Sequence, residues 1–222
     1  WVPCCPSNLS RIWADVGGYI YSSQADSLTV HQYISSELDE GPLRLEMRSG
    51  LPWQGNVRIE ITAVAGAQPS RLLLRRPSWA AAMRVRVNGE PLPDSAPAVQ
   101  LEPTSGGYDP RGATFITVER AWQAGDVVEI AFDLPVRLLR AHPRVPGHAG
   151  MVAVARGPLV YCLESVDNAG VDIFDAQIDA DSLAPVEDGS LLGGIVKIEG
   201  KSIDGQPLTF IPYWLWANRG ES

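Results

Sequence analysis

The segment Leu43-Arg44-Leu45-Glu46-Met47-Arg48 shows the pattern that dominates this chain. Its apolar residues alternate with charged ones. A period of two is typical of a β-strand that has one buried face and one exposed face. The same alternation recurs at residues 57–62, 83–88 and 128–132. These short strands predict a mainly β fold.

Turn residues separate these strands, and the strongest turn signal is Asn88-Gly89. A type I′ hairpin turn needs positive φ at both central positions, which Asn and Gly tolerate best. Gly125-Asp126 precedes a further strand in the same way. Short strands with turns between them predict an antiparallel β-sandwich over residues 22–136.

A Pro/Gly-rich connector over residues 135–150 predicts a boundary, because such a segment is unsuited to a central strand. Beyond it, two apolar runs flank Arg156-Gly157-Pro158, and this break indicates a bulge or bend within a buried strand pair. We therefore predict a second β-sandwich unit over residues 137–222. Its further strands are expected around residues 171–178, 195–198 and 208–216.

Only the start of the chain has a helical period. Apolar residues recur there at i, i+3, i+4 and i+7, which predicts one amphipathic helix. Ser7 and Asn8 are both suitable N-caps, and Gly17-Gly18 ends the pattern. Each large apolar side chain would forfeit roughly 1.5–3 kcal/mol in water, so the helix indicates the end of a larger helical domain. The apolar residues of this stripe are Leu9, Ile12, Trp13 and Val16.

Cys4 and Cys5 lie between two prolines at the start of this helix. Adjacent Cα atoms are about 3.8 Å apart, whereas a disulfide usually needs at least about 4.4 Å. Two thiolates directed at a common metal are one interpretation, because zinc accepts Cys ligands and a helix N-terminus favours thiolate. The alternative is that both side chains are small buried hydrophobes. The spacing leaves both interpretations open.

Three other groups of residues suggest binding or catalytic sites, and each has a simpler interpretation. His142 and His148 in the connector suggest a metal, but loop histidines are mostly solvated. An acidic turn suggests glycosidase carboxylates, yet Gly41-Pro42 beside it indicates a solvated turn. Four aspartates suggest calcium, but the EF-hand spacing is missing, so we expect a polar loop. The acidic turn contains Glu37, Asp39 and Glu40, and the aspartates are Asp172, Asp175, Asp179 and Asp181.

Trp53, Trp79 and Trp122 could stack on sugar rings, but tryptophan is also an ordinary core and edge residue of a sandwich. Cys162, the remaining cysteine, lies in an apolar run and is interpreted as core packing. No phosphate-binding loop, GxSxG elbow or Ser/His/Asp arrangement is present in the sequence.

The composition limits the partners of this chain. It has 222 residues, 45% hydrophobic and 20% charged, with a net charge of −8. An acidic chain without a basic run argues against nucleic acid, and no apolar run reaches the roughly 20 residues of a membrane helix. Free vicinal thiols fit a reducing cytoplasm. The sequence leaves the oligomeric state open.

Four segments resemble glycoside hydrolase family 127, the β-L-arabinofuranosidases, and they occur in the family's order over nearly the whole chain. Ser7 departs from the family's Cys-Cys-Pro-Pro-Asn pattern but can still cap a helix. The four segments are Cys4-Cys5-Pro6-Ser7-Asn8-Leu9 with Gly18-Tyr19-Ile20-Tyr21, Arg76-Pro77-Ser78-Trp79 with Val87-Asn88-Gly89, Ala155-Arg156-Gly157-Pro158-Leu159-Val160-Tyr161-Cys162-Leu163-Glu164, and Phe210-Ile211-Pro212-Tyr213 with Trp216-Ala217-Asn218-Arg219-Gly220.

The resemblance implies a helical (α/α)₆ catalytic barrel followed by β-sandwich domains, with residues 1–21 as the end of the barrel. It makes Cys4 the counterpart of the nucleophile and a zinc ligand, and Cys5 the counterpart of a second zinc ligand. The family's acid/base glutamate and its other metal ligands lie upstream, where this sequence has no matching residue. The glycoside substrate would be bound mostly by that barrel.

Two hypotheses follow from these observations. In the first, the chain is the C-terminal part of a zinc-dependent retaining glycosidase that releases β-L-arabinofuranose and is inactive without the barrel. In the second, it is a non-catalytic β module for domain packing or glycan binding. The two hypotheses differ in whether Cys4 and Cys5 take part in chemistry.

Overall fold

The structure, a computed structural model, describes residues 4–65, 70–93, 98–100, 114–191 and 193–219. The chain divides into two compact units, Trp1–Asp133 and Leu134–Ser222. Strands dominate both units, and within the described residues there is one α-helix. The predicted mainly β fold with one short helix is confirmed. Gly220, the last residue of the fourth family-like segment, and Pro3, which precedes the first, lie outside the described residues.

Unit 1 begins with the helix, and its strands follow in chain order. The elements are α1 (Cys4–Asp15), a 3₁₀ helix (Val16–Tyr19), β1 (Tyr21–Gln24), β2 (Ser27–Val30), β3 (Ser36–Leu38), β4 (Leu43–Ser49), β5 (Asn56–Val64), β6 (Ser70–Arg76), β7 (Met83–Val87), β8 (Glu90–Pro91), β9 (Ala98–Gln100), β10 (Thr114–Arg120) and β11 (Val127–Phe132).

The strands of unit 1 form two sheets, with the orders β1-β2-β6-β10-β9 and β3-β4-β5-β11-β7-β8. All pairs are antiparallel except β2 and β6, which run parallel. The chain leaves the first sheet after β2, builds β3, β4 and β5 of the second sheet, and then returns as β6. This crossover produces the parallel pair, which the sequence analysis did not predict.

The predicted alternation of buried and exposed side chains is present in β4. Leu43, Leu45 and Met47 are at most 1% exposed, whereas Arg44 and Arg48 face solvent. Burial of each apolar side chain contributes about 1.5–3 kcal/mol, so a shift of one residue in register would expose the whole apolar set. The alternation therefore fixes which face of the sheet meets the core.

Tyr33 contacts both sheets of unit 1. It is 7% exposed, and its hydroxyl donates to the Arg75 carbonyl of β6 at 2.7 Å. Its ring meets the Phe132 ring of β11 edge-on, with the centroids 5.1 Å apart. Burial raises the pKa of the Tyr33 hydroxyl, so this group remains a donor. The two sheets thus pack with their buried faces together, as in a sandwich.

The hairpin predicted at Asn88-Gly89 connects β7 and β8. Asn88 has φ 52° and Gly89 has φ 84°, and Val87 pairs with Glu90 across the turn. Positive φ at two successive positions is the signature of a type I′ turn. The turn prediction is confirmed.

Unit 2 is one antiparallel sheet with the strand order β12-β13-β14-β17-β16-β15. A 3₁₀ helix (Tyr213–Leu215) follows the last strand. The strands are β12 (Val136–Leu139), β13 (Ala153–Arg156), β14 (Leu159–Leu163), β15 (Ile178–Asp188), β16 (Ile195–Ser202) and β17 (Pro207–Pro212).

The sheet of unit 2 curves around a single core. The core contains Val154, Tyr161 and Phe210 of central strands. Val136 of one edge strand and Ile178 of the other pack against this same core. Both edges of the sheet therefore approach each other in a barrel-like manner, and the described residues of this unit contain no second sheet.

Three local expectations for unit 2 need correction. The break at Arg156-Gly157-Pro158 is a hairpin turn between β13 and β14, because Arg156 pairs with Leu159 and Gly157 has φ 53°. The strand expected around residues 171–178 begins only at Ile178, since Asp172 accepts a hydrogen bond from the Phe174 N–H and forms a turn.

The third correction concerns the end of the chain, where a strand was expected over residues 208–216. β17 ends at Pro212, and the next three residues form the 3₁₀ helix. The boundary between the two units lies between Asp133 and Leu134, ahead of the 135–150 connector. Val136, the first residue of β12, already pairs with Arg156 of unit 2. The domain limits 1–21, 22–136 and 137–222 stay predictions.

Candidate active-site segment

The two vicinal cysteines lie in the first turn of α1. The helix begins at Cys4 rather than after Ser7 or Asn8, which were the predicted caps. Pro6 fits there because the N–H groups of the first turn have no partner within a helix. The Ser7 hydroxyl donates to the Cys4 carbonyl at 3.0 Å. The predicted helix is confirmed, and it starts earlier than expected.

Cys4 and Cys5 are free and exposed, and their Sγ atoms are 3.9 Å apart. A disulfide bond has an S–S length of about 2.05 Å, so the two sulfurs are separate thiols. Neither side chain packs in the core of the described residues, and the choice between metal ligands and small hydrophobes stays a prediction. Both sulfurs are available to an external ligand.

The helix that carries the two thiols exposes its apolar stripe. Leu9, Ile12 and Trp13 are 57%, 58% and 72% exposed, and no residue of α1 is buried. Large apolar side chains in contact along one face commonly mark an interaction surface. The stripe is the feature of α1 that its packing within this chain does not explain.

His142 and His148, which were expected to be solvated, form no metal site with neighbouring described residues. Among the described residues, no three His, Cys, Asp or Glu side chains are grouped so that they could hold a metal ion. The His142 ring accepts a hydrogen bond from the Arg144 N–H at 3.2 Å, and His148 Nδ1 lies 2.9 Å from the Pro146 carbonyl. Both histidines are exposed and bond within their own loop.

The acidic groups also have local roles. Asp39 pairs with Arg44 at 3.2 Å, and Glu37 and Glu40 are exposed. Asp179 and Asp181 lie within β15 instead of a loop. The Asp179 carboxylate accepts the Asp181 N–H at 3.2 Å, which fits the register shift of β15 that follows Asp179.

The three tryptophans differ in exposure. Trp122 is 3% exposed and its indole N–H donates to the Ser70 carbonyl at 3.0 Å, so it is a core residue. Trp79 is half-buried against Phe132, with the ring centroids 5.3 Å apart. Trp53 is also half-buried. Packing accounts for Trp79 and Trp122.

A buried ion pair near the end of the chain was not predicted. Glu164 is 1% exposed, and its carboxylate accepts from Arg219 at 2.5 Å and from the Ala217 N–H at 2.6 Å. Arg219 also pairs with Asp167. Hydrogen bonds to Asp167 and Glu164 raise the pKa of the Arg219 guanidinium, so it stays charged. This pair ties the C-terminal segment to the end of β14.

Sequence patterns could not have found this pair. Glu164 and Arg219 belong to two separate sequence segments, and they are 55 positions apart. Ala217, whose N–H also donates to the Glu164 carboxylate, has φ 59°. This is a left-handed conformation that residues other than glycine rarely adopt. Neither the pairing nor this backbone conformation has a local sequence signal.

Three exposed aromatic residues directly after β17 were also not predicted. Tyr213, Trp214 and Trp216 are 57%, 58% and 51% exposed. The rings of Tyr213 and Trp216 are parallel, with an interplanar angle of 4° and centroids 6.1 Å apart. Leu215 between them is buried and anchors the segment. The chain thus exposes three aromatic side chains directly after β17.

The fold and this segment define the chain as a mainly β region preceded by one helix with two free thiols. Residues 27–134 match the family model for the beta-L-arabinofuranosidase GH127 middle domain. Residues 136–222 match the model for the glycoside hydrolase family 127 C-terminal domain. Together the matches span most of the chain, and it belongs to glycoside hydrolase family 127. The family resemblance seen in the sequence is confirmed.

Individual relatives agree with this assignment. The non-reducing end beta-L-arabinofuranosidase of Bifidobacterium longum subsp. longum is 34% identical, with 97% of this chain and 35% of the relative covered. A GH127 beta-L-arabinofuranosidase structure from Geobacillus stearothermophilus T6 has a TM-score of 0.82 at 33% identity, covering 98% of this chain and 36% of that one.

A structure of a GH127 beta-arabinofuranosidase gives a TM-score of 0.77 at 31% identity, covering 98% of this chain and 37% of that one. The chain therefore spans about a third of the length of the relatives it matches. Among the described residues, no helix is long and apolar enough to cross a membrane.

Proposed function

We propose that this chain is the C-terminal part of a zinc-dependent retaining glycoside hydrolase that releases β-L-arabinofuranose, with Cys4 as the nucleophile. The observation that carries the proposal is the pair of exposed thiols in the first turn of α1, with sulfurs 3.9 Å apart. Membership of glycoside hydrolase family 127 supports the reaction class. The activity is proposed for a protein that also contains the remaining two-thirds of the relatives' length.

The two sulfurs fit the geometry of a zinc site. Tetrahedral zinc with Zn–S distances of about 2.3 Å places two sulfur ligands about 3.8 Å apart, and the observed separation is 3.9 Å. Cys4 and Cys5 would supply two of the ligands. Since the described residues contain no group of three metal ligands, we propose that the others come from elsewhere in the longer protein.

Bound zinc would supply positive charge that holds the sulfurs as thiolates at neutral pH. The Cys4 sulfur then provides the electron pair that bonds to the anomeric carbon, while the bond from this carbon to the leaving oxygen breaks. A general acid from the rest of the protein protonates the leaving oxygen. The same group, now a base, would take a proton from water, whose oxygen bonds to the anomeric carbon while the carbon–sulfur bond breaks and the Cys4 thiolate leaves. Two displacements at one carbon retain the configuration.

Hydrolysis of a chromogenic β-L-arabinofuranoside tests this proposal. We expect no turnover by the 222-residue chain, because it lacks the acid/base and the other metal ligands. In the longer protein, Cys4→Ser should abolish turnover, and Cys5→Ser should lower both the zinc content and the turnover. Cys162→Ser is the matched control and should leave both unchanged. Full activity of the Cys4→Ser protein, or turnover by the 222-residue chain, would contradict the proposal.

A packing role is the second candidate, and the exposed stripe of α1 favours it. Leu9, Ile12 and Trp13 are more than half exposed, which suits a helix that completes a larger helical domain. In this role the β units would be a support and the thiols would take no part in chemistry. Zinc binding together with Cys4-dependent turnover would exclude it. We also propose the reducing cytoplasm as the location, because both vicinal thiols are free.

A further inference from the structure

Unit 2 contains a cavity that is lined by residues between Gly170 and Gln206. Its volume is about 390 Å³, within the roughly 300–1,000 Å³ of small-molecule sites. One wall is the loop that precedes β15, and the other is the turn between β16 and β17. The two walls are joined by a hydrogen bond from the Ile203 N–H to the Gln177 carbonyl at 2.8 Å.

The turn between β16 and β17 is held in place by a buried hydroxyl. Ser202 is 5% exposed. Its oxygen accepts the Gln206 N–H at 2.9 Å, and its proton is donated to the Asp204 carboxylate. Opposite, the Asp172 carboxylate accepts the Phe174 N–H at 3.0 Å. Both walls are thus ordered by their own hydrogen bonds, which lowers the entropic cost of binding a ligand.

The polar groups around the cavity include both donors and acceptors. Asp175 supplies a carboxylate, and Gln177 and Gln206 each supply an amide group that can donate and accept. Within the part of the chain that the structure describes, the side chains of these three residues make no hydrogen bond or ion pair with protein groups. They are available to a ligand that presents hydroxyl groups, since each hydroxyl also donates and accepts.

Apolar groups complete the lining. Val171 and Ala176 pack against the core of unit 2 and also face the cavity. Phe174 lies in the same loop and is 97% exposed, but it is not among the residues that line the cavity. A sugar ring has both surfaces that this arrangement requires: hydroxyl groups around its edge and C–H groups on its face.

The charges of the lining argue against an anionic ligand. The described residues that line the cavity include three aspartates and no Lys, Arg or His, so an anion would be repelled. No metal-binding group of three acidic, His or Cys side chains occurs among the described residues. An organic cation would use the carboxylates but not the amide donors of the two glutamines.

We propose that this cavity binds a neutral saccharide unit and is an accessory carbohydrate site in unit 2. It would bind one sugar unit of an arabinose-containing oligosaccharide, and this unit would differ from the one that is hydrolysed. The choice of arabinose as the sugar rests on the proposed function, whereas the site itself rests on the lining of the cavity.

Calorimetric titration of the 222-residue chain with methyl β-L-arabinofuranoside and with L-arabinose tests the site. The chain should carry Cys4→Ser and Cys5→Ser, so that the thiol segment cannot affect the result. We expect saturable binding, with at least a tenfold loss of affinity in the Gln177→Ala/Gln206→Ala double variant. The matched control is Gln32→Ala/Gln123→Ala, which removes two exposed glutamines outside the cavity and should bind like the parent.

Asp175→Asn separates sugar from cation binding, because it removes a charge and keeps the shape. Sugar binding should persist in this variant with lower affinity, because the amide still accepts a hydrogen bond from a hydroxyl group, whereas cation binding should be lost. Binding of putrescine or Ca²⁺ in place of the sugars, absence of sugar binding, or equal affinity in the Gln177/Gln206 double variant would each overturn the proposal. Sugar binding without Cys4-dependent hydrolysis in the longer protein would contradict the proposed function alone, and hydrolysis without sugar binding would contradict the site alone.

Discussion

At the scale of single residues, Asn88 and Asp126 show how a turn and a strand are joined. Asp126 is 8% exposed and accepts hydrogen bonds from the Asn88 amide at 2.8 Å and the Gln123 N–H at 2.9 Å. Burial disfavours its charge, but these two donors together with Arg120 lower the pKa of Asp126 overall. The Asn88 side chain also accepts the Val127 N–H. One amide thus links the hairpin to the start of β11.

This link predicts a pH-dependent effect of Asn88→Gly. Glycine keeps the positive φ without strain, and a hydrogen bond to a charged group contributes about 1.5–3 kcal/mol. We expect the unfolding free energy to fall by about 2 kcal/mol at neutral pH. Because Asp126 has a lower pKa in the folded chain, its stabilisation is present above its unfolded pKa of about 3.9. It is lost as the pH falls through the folded value.

Urea unfolding of both proteins at several pH values measures this effect. The difference between the native chain and Asn88→Gly should shrink as Asp126 becomes protonated. Gln123→Ala is the control, since it keeps the backbone donor to Asp126 and should change stability little. A difference of the same size at every pH would contradict the role assigned to the Asn88–Asp126 bond.

Cys162 provides a second prediction at this scale. Burial raises the pKa of its thiol to about 11; Glu164 and Asp167 add to the shift, while Arg219 opposes it. Since the thiolate is the reactive form, iodoacetamide at about pH 8 should modify Cys4 and Cys5, which are exposed, and leave Cys162 unmodified until the chain unfolds. Mass spectrometry of folded and urea-unfolded samples measures this. A third modified cysteine in the folded chain would be inconsistent with it.

At the scale of elements, α1 and β4 each have a periodic apolar pattern, but only the apolar face of β4 is buried. The apolar residues of β4 are buried between two sheets, whereas those of α1 lie in solvent. Burial, rather than the pattern itself, provides the stabilisation. The difference shows that α1 contributes little to the stability of unit 1.

We therefore predict that Ile12→Glu in α1 changes the unfolding free energy by no more than about 0.5 kcal/mol, as for other surface changes. Leu45→Ala in β4 should cost about 2–5 kcal/mol, because it leaves a cavity in a close-packed core. Chemical denaturation of the 222-residue chain compares the two variants. A large loss of stability in Ile12→Glu would mean that α1 packs on the β units.

At the scale of the whole molecule, the chain consists of two units with separate cores. Unit 2 encloses Val154, Tyr161, Ile198, Leu208 and Phe210 within its own sheet. Among the described strands, β12 to β17 pair with one another and with no strand of unit 1, so these backbone hydrogen bonds close within one sheet. Such a unit meets the physical requirements for independent folding.

We predict that residues 134–222 fold when expressed alone. Circular dichroism should show β structure and a cooperative thermal transition. Tyr161→Phe, which removes the hydrogen bond to the Val196 carbonyl at 3.0 Å, should lower the stability of this unit by about 0.5–1.5 kcal/mol. A disordered spectrum for residues 134–222 would show that this unit needs the rest of the chain.

Much of the local structure was predictable from the sequence. The strands of unit 1 follow from alternation, because successive side chains of a strand face opposite sides whatever the sheet. The turn at Asn88-Gly89 follows from the φ values that these residues tolerate. Cys4 and Cys5 were identified as the candidate site because adjacent thiols at a helix start are chemically distinctive. Each inference uses residues only a few positions apart.

Only the tertiary structure decided which distant residues meet. The parallel pairing of β2 with β6, the single curved sheet of unit 2, the Glu164–Arg219 ion pair and the cavity beside Asp175 all join segments that are far apart in sequence. Such contacts depend on strand order and on chain crossovers, and these are set by the burial of whole faces rather than by any local pattern. The exposure of the α1 stripe was likewise decided at this level.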